Sequence, residues 1–381
     1  MSADRGFPEG RGCRTVMEHG LVSGTVDRAS LRGGYLWVRG WSAIPRDGID
    51  GFRVCAGQKE LAVVSWEAGL RHLAAHRFSG GRACGFELRA AMGRTPGNRP
   101  QDLLVAVVPV QEGRERAAMF GVLNPTFPIP PRREWILVGS SFLPEACIAL
   151  GCLVNQAGLR RRESVLDIGC GLGRLAYLLS GYLLPSARYE GLEPVKRWVR
   201  RNRKLLTARF HNFHFCEFPV RHAIYNPRGK LDPATARFPC ARASFDLAFA
   251  TSVFQHNRGR VARNYLAEIA RVLRPGGRAL ISCFLLDAQP GQTRAGRRGL
   301  EFSHPLGDCW TADPRRPETG IAFLERDFYQ WAAEHGLAVH ARWKGRWRSP
   351  GPGKLFQDLL VLTKANRARH LSGAAQRMRL P

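Results

Sequence analysis

The chain has 381 residues with 58 lysines and arginines against 31 acidic residues, a formal charge of +27; 44% of it is hydrophobic and 9% aromatic. That length allows two domains with sizeable cores, and that composition excludes a globally disordered chain. No apolar run reaches the roughly 20 residues that span a bilayer, and the polar start from Met1 to Arg14 has no apolar signal-peptide core, so a cytoplasmic location is expected.

Residues 1–20 read as a flexible terminus. From residue 21 to 123, short apolar runs alternate with turn residues: Tyr35–Trp41, Phe52–Cys55, Leu61–Trp66, Gly85–Leu88 and Asp102–Val110, punctuated by Gly33-Gly34, Asp47-Gly48, Gly80-Gly81 and Pro96-Gly97. Short strands at that spacing predict a small, antiparallel, sandwich-like accessory domain. Trp37 and Trp41 fall on one face of their strand, where they either stack on a sugar ring or fill the core, and the core role is favoured. The run from Gly24 to Ala43, with CGFELRAAM after it, is similar to modules found beside bacterial glycan-modifying enzymes.

Residues 124–134 read NPTFPIPPRRE, with Pro125, Pro128, Pro130 and Pro131. Prolines at that density favour a stiff, extended connector and exclude helix. From residue 135 to 365, strand-like runs alternate with amphipathic helical segments. That alternation predicts an α/β fold with a mostly parallel sheet and helices on both faces. Residues 366–381 read as a basic, disordered tail.

The strongest signal is Ser164–Ala176, SVLDIGCGLGRLA. A short strand ends in a glycine-rich turn and a helix follows, so the backbone can approach a ligand and a helix amino terminus faces the pocket. A dinucleotide fingerprint needs a small third residue, where this chain has Arg174. The acid Asp167 instead precedes Gly169, Gly171 and Gly173, which suits a ligand with a cationic amino-acid end and no phosphates; S-adenosylmethionine is such a ligand. Tyr189–Pro194, YEGLEP, is a second strand closing on Glu193, placed to accept hydrogen bonds from ribose hydroxyls. Ala243–His256 then carries a buried strand, Leu247–Ala250, ended by Thr251-Ser252. Leu266–Cys283 reads as a helix stopped at Pro275-Gly276-Gly277 and followed by a parallel strand, Ala279–Cys283.

VLDIGCGLGR, GLEP, FDLAFATSVFQH and LRPGG together resemble the motifs of class I, Rossmann-like S-adenosylmethionine-dependent methyltransferases over Arg133–Lys364. YNPRGK and GRWRSPGPGKLFQDLLVLTK are similar to a bacterial subgroup, the type 11/12-like methyltransferases. The resemblance implies a seven-stranded sheet ending in an antiparallel hairpin, with Leu337–Trp343 and Phe356–Thr363 as its strands and helix Leu324–His335 before them. It also implies that Asp167, Gly169 and Gly171 line the methionine end of the cofactor, with Cys170 and Gly173 in the same turn, and that Glu193 holds the ribose. Glu217 becomes the candidate reader of the adenine amine, and Thr251 and Ser252 border the site.

For a hydroxyl acceptor a general base is wanted. His256, after the fourth strand, is the candidate, because its ordinary pKa of about 6.5 suits the task; a role in bracing the next helix is the alternative. A long Gly/Pro/Arg-rich insertion, Leu286–Ile321, is expected to roof the acceptor pocket, with His304 and Trp310 in it and Trp347, Gln357 and Asp358 near the final hairpin. The expected acceptor is a hydroxyl or amine of a sugar, glycolipid precursor or other small molecule.

Two readings compete. An RNA methyltransferase is suggested by charge, yet only seven of the basic residues are lysines and the arginines are spread throughout. A diffuse field of that kind attracts polyanions without selecting one, and no N/D-P-P-[YF] signature occurs. A non-catalytic carbohydrate-binding or scaffold protein is opposed by the intact Asp167, Gly169, Gly171 and Glu193. Ten cysteines form no CxxC pair, and the closest two, Cys147 and Cys152, sit in the apolar stretch Glu145–Leu153. Buried thiols and no metal are expected.

Overall fold

The computed structural model describes residues 24–42, 44, 46–57, 59–70, 84–92, 103–123, 125, 127–131, 134, 142–289, 300–347 and 355–366. The expected flexible start, residues 124, 126, 132 and 133 of the proline-rich connector, and the basic tail beyond residue 366 lie outside them.

The amino-terminal part is built from nine strands: β1 (Gly24–Arg32), β2 (Tyr35–Ser42), β3 (Gly51–Ala56), β4 (Lys59–Leu61), β5 (Val63–Ala68), β6 (Cys84–Ala91), β7 (Leu103–Gln111), β8 (Arg114–Glu115) and β9 (Met119–Leu123). They form two antiparallel sheets, β1-β2-β6-β5 and β4-β3-β7-β8, with β9 also on β7. Alternate residues of both sheets face inward, and Leu36, Val38, Val54, Phe86, Val105 and Val107 share one core. Trp41 is buried at 7% exposure. Trp37 is half-buried, with the Arg89 guanidinium lying between it and Tyr35 at 5.6 and 4.8 Å from the two rings.

The carboxy-terminal part follows in the order α1 (Phe142–Asn155), β10 (Ser164–Ile168), α2 (Arg174–Tyr182), β11 (Arg188–Glu193), α3 (Lys196–Asn202), β12 (Phe213–Glu217), β13 (Phe245–Ala250), α4 (Gly259–Val272) and β14 (Leu273–Leu286). Then come β15 (His304–Pro305), β16 (Trp310–Thr311), β17 (Ile321–Leu324), α5 (Glu325–Glu334), β18 (Leu337–Trp343) and β19 (Asp358–Lys364). Strands β12-β11-β10-β13-β14 are parallel neighbours. Beyond them β19 runs antiparallel on β14, and β18 antiparallel on β19, closing the sheet with the hairpin that the sequence suggests.

The sheet is larger than the seven strands expected. The outer end of β14, Phe284–Leu286, pairs with β17, which carries β16 and β15, giving a mixed ten-stranded sheet. The insertion Leu286–Ile321 is therefore in part an extension of the sheet, where the sequence reading saw only a loop. Its turn residues hid strands too short to carry an alternating pattern. Among the described residues no helix is long and apolar enough to cross a membrane.

The two parts share a core. Leu104 and Phe120 lie in the same buried cluster as Leu150 and Tyr182. Phe120 meets Tyr182 edge to face at 6.1 Å, and the Asn155 amide bonds both the N–H and the C=O of Ala118 at 3.0 Å.

Candidate active site

Strand order reverses at β10, which has β11 on one side and β13 on the other. In open parallel sheets that switch point, at the carboxyl ends of the strands, opens a crevice. A cavity of about 920 Å³ lies there, bounded by Asp167, Gly169, Cys170 and Gly171 after β10, Glu193 after β11, and Thr251 and Ser252 after β13.

Gly169, Gly171 and Gly173 all have positive φ, at 75°, 54° and 76°, so the turn bends where side chains would be strained. Asn202, fully buried at the end of α3, donates to the Gly171 carbonyl at 2.9 Å. A Cβ on Gly173 would lie 2.6 Å from Asn202 Oδ1, so Gly173 shapes the turn from outside the cavity wall. Arg174 opens α2 and reaches Glu145 at 2.9 Å.

Both acids are buried. Asp167 accepts from the Tyr189 hydroxyl at 2.7 Å, and Glu193 accepts from the N–H groups of Gly171 and Val195, each at 2.9 Å. Burial is the main reason that each carboxyl is pushed up to about 7; the Tyr189 bond opposes this at Asp167, and the two backbone bonds oppose it at Glu193. Buried carboxyls of this kind form a site suited to positive charge or to hydrogen-bond donors, although Arg174 already offsets part of the effect of burial at Asp167.

At the other side, Ser252 turns left-handed with φ 58° and donates its N–H to Ser282 Oγ at 2.8 Å. His256 follows in a short 3-10 turn, Phe254–His256. Its Nδ1 lies 2.7 Å from the Glu318 carbonyl oxygen, which only accepts, so the ring hydrogen is assigned to Nδ1. Nε2 then carries the lone pair and accepts from the Tyr225 hydroxyl at 3.2 Å and the Gln255 amide at 3.3 Å. Burial and neighbouring His222 lower the His256 pKa from its ordinary value, which keeps the ring neutral. His222 in turn faces the His256 carbonyl through Nε2 at 2.9 Å. Trp198 also lines the cavity, and its buried indole N–H has no hydrogen-bond partner among the described residues.

Several residues singled out from the sequence lie elsewhere. Glu217 is not on the cavity wall; its carboxylate faces Lys196 at 3.7 Å, and the next residue, Phe218, takes the wall position. His304 is exposed on β15. Trp310 packs against Phe284, Phe302 and Trp347. Trp347 is itself buried, with its indole N–H donating to Asp358 Oδ2 at 3.0 Å. Gln357 does line the cavity: its Oε1 accepts from Ser282 at 2.6 Å and its amide donates to Gln255. From the insertion, Thr319 borders the cavity and Glu318 holds His256. His222, Tyr225, Trp198 and Asn202 were missed; YNPRGK was noted as a motif, but nothing in it marked Tyr225 as a partner of His256.

Residues 166–279 match a family described as a methyltransferase domain. A stretch of 144 residues is 30% identical to the O-methyltransferase cnsE of Penicillium expansum, covering 35% of this chain and 44% of that protein. The chain thus spans under half the length of that curated relative. Similar solved structures include a TehB-like SAM-dependent methyltransferase from Corynebacterium glutamicum, 16% identical, with 61% of this chain and 94% of that one covered at a TM-score of 0.36. Another is the CcbJ methyltransferase from Streptomyces caelestis, 16% identical, with 55% and 86% covered at a TM-score of 0.36.

The cofactor of such a domain is S-adenosylmethionine, and the residues present fit it. Its cationic amino-acid end suits the buried Asp167 carboxyl, and its ribose hydroxyls, as donors, suit the buried Glu193 carboxyl. The positive-φ glycines leave the backbone open to a close ligand.

Proposed function

We propose that this chain is an S-adenosylmethionine-dependent O-methyltransferase acting on a small hydroxylated molecule, with His256 as general base. The observation that carries the reading is the His256 ring: neutral, fixed by Glu318, and presenting a basic Nε2 in the same cavity as Asp167 and Glu193. The name of the Penicillium relative supports oxygen as the target atom.

Asp167 and the glycine turn would hold the amino-acid end of the cofactor, and Glu193 the ribose. When bound, S-adenosylmethionine supplies an electrophilic methyl group on a cationic sulfur. The acceptor hydroxyl replaces Tyr225 or Gln255 as the partner of His256 Nε2, which takes its proton as the oxygen attacks. The imidazolium so formed donates Nδ1–H more strongly to the Glu318 carbonyl. A base of this kind contributes about 10²–10⁴ in rate, and alignment in a closed cavity adds to it. A cavity of about 920 Å³ lies at the upper end of the roughly 300–1,000 Å³ of ligand sites, which suits a nucleoside plus a small acceptor. Sugars, glycolipid precursors and phenols all fall in that acceptor class, whereas an RNA acceptor rests on net charge alone.

Calorimetry and methyl transfer into a panel of hydroxylated compounds test the reading together. Wild-type protein is expected to bind the cofactor at micromolar concentrations. His256→Ala is expected to keep that binding while losing about 10²–10⁴ in turnover. Near-normal turnover in His256→Ala would rule out the base, and absence of cofactor binding in the wild type would rule out the enzyme.

A further inference from the structure

The cavity wall changes character in a fixed order outward from His256. Nearest the base it is polar: Gln255 contacts His256 Nε2 at 3.3 Å, Gln357 bonds Gln255, and Ser282 bonds Gln357 at 2.6 Å. Two residues further along β14, on the same strand face as Ser282, Phe284 lines the cavity. Phe302 and Trp347 hold that ring from the sides, with centroids at 5.0 and 5.4 Å.

Phe356 meets Phe284 edge to face at 5.7 Å, also lines the cavity, and is 45% exposed. Leu300, another lining residue, is 38% exposed. Large apolar side chains left open at a cavity rim mark a surface that a ligand covers. Beside Phe356 lies Arg346, exposed, with its guanidinium 5.8 Å from the Phe356 ring. Two arginines line the cavity. Arg174 is paired with Glu145 at 2.9 Å, whereas Arg346 has no carboxylate partner among the described residues.

We propose that the methyl acceptor is a phenol bearing a carboxylate at the end of the molecule opposite the methylated hydroxyl. This deepens the O-methyltransferase reading and rests on it. The hydroxyl sits at His256 Nε2, the flat ring lies along Phe284 and Phe356, and the carboxylate meets the Arg346 fork, whose planar donors match that group. A sugar fits the order poorly, because its outer hydroxyls would lie against the two phenylalanines with no polar partner. A net charge of +27 also favours encounter with small anions.

The test uses the intact chain and three probes of known structure: 4-hydroxycinnamate, its methyl ester, and methyl β-glucoside. Wild-type protein is expected to methylate the acid with a kcat/KM at least about tenfold above the ester and to leave the glucoside unmodified. Arg346→Gln is expected to collapse the acid-to-ester ratio towards one, with Arg346→Lys between. Equal use of acid and ester by the wild type overturns the proposal, as does an unchanged ratio in Arg346→Gln. Preference for the glucoside, or turnover of none of the three by protein that binds S-adenosylmethionine, overturns it as well. These outcomes leave the O-methyltransferase reading standing; only absence of cofactor binding removes both. Arg346 is exposed, so its variants are expected to fold, which the same cofactor titration reports.

Discussion

Asp167 and Glu193 have ordinary carboxyl values of 3.8 and 4.5, and in the fold both rise to about 7, chiefly through burial. The folded chain therefore holds two protons across the window from about pH 4 to 7 that the unfolded chain has released. Stability from these groups is greatest at the acid end and falls as pH rises through about 7. The proposed contacts, a cationic end at Asp167 and hydroxyl donors at Glu193, both favour the carboxylate form, so binding expels protons below pH 7. Affinity for S-adenosylmethionine is expected to rise with pH and level off above about 7 to 8. Calorimetry at about pH 6 in two buffers of different ionisation heat should show proton release; identical heats would contradict it. Tyr189→Phe removes the bond that lowers the Asp167 pKa, so the pH midpoint of binding should move up. His256 moves the other way, because burial and His222 depress its pKa. With the cofactor saturating, the acid limb of kcat should therefore fall below about pH 6.5, separate from the cofactor-binding limb near 7.

At the level of elements, the glycine turn after β10 is a left-handed bend clamped by Asn202 at the end of α3. Gly173→Ala is expected to cost about 1–3 kcal/mol for a side chain at φ 76°. It should also displace Asn202, which holds the Gly171 carbonyl, so urea unfolding should show the loss and cofactor affinity should fall with it. Asp358, placed by the sequence near the final hairpin, staples β14 to that hairpin. It accepts from the N–H groups of Leu285 at 2.8 Å and Gly345 at 2.7 Å and from the Trp347 indole at 3.0 Å. Asp358→Ala orphans three buried donors, each worth about 1–3 kcal/mol; a stability change below about 1 kcal/mol in urea would contradict the staple.

Legibility in the sequence follows locality. The β10 turn and the acid closing β11 sit within about 30 residues, so spacing alone brings Asp167, the glycines and Glu193 together. The His256 partners Tyr225 and Glu318 lie 31 and 62 positions away, and only the sheet order makes them neighbours. Glu217 was misplaced for a related reason. It pairs in register with Glu193 at the strand end, yet its carboxylate turns to Lys196, a choice made by a surface cation that no strand pattern records. The β15–β17 extension was hidden because two of its strands are two residues long.

Over the whole molecule, the proline-rich connector suggests two bodies on a stiff spacer, but the packing joins them. Phe120 of β9 is 2% exposed and meets Tyr182 of α2 edge to face, while Leu104 of β7 lies 3.1 Å from where a Cβ on Gly181 would stand. Phe127, just past β9, stacks on Tyr177 at 4.5 Å and on Phe142 at 6.1 Å, so the start of the connector is itself part of the core. Parts that share one buried cluster lose those contacts together, and their unfolding is coupled. Scanning calorimetry should therefore show one main transition. Phe120→Ala, expected to cost about 3–5 kcal/mol, should shift the whole of that transition downward, and the midpoint for loss of cofactor binding should move with it, although Phe120 is absent from the cavity wall. Two separated transitions, with the substitution lowering only one and cofactor binding unaffected, would show instead that the β-module is carried by the carboxy-terminal part without supporting it.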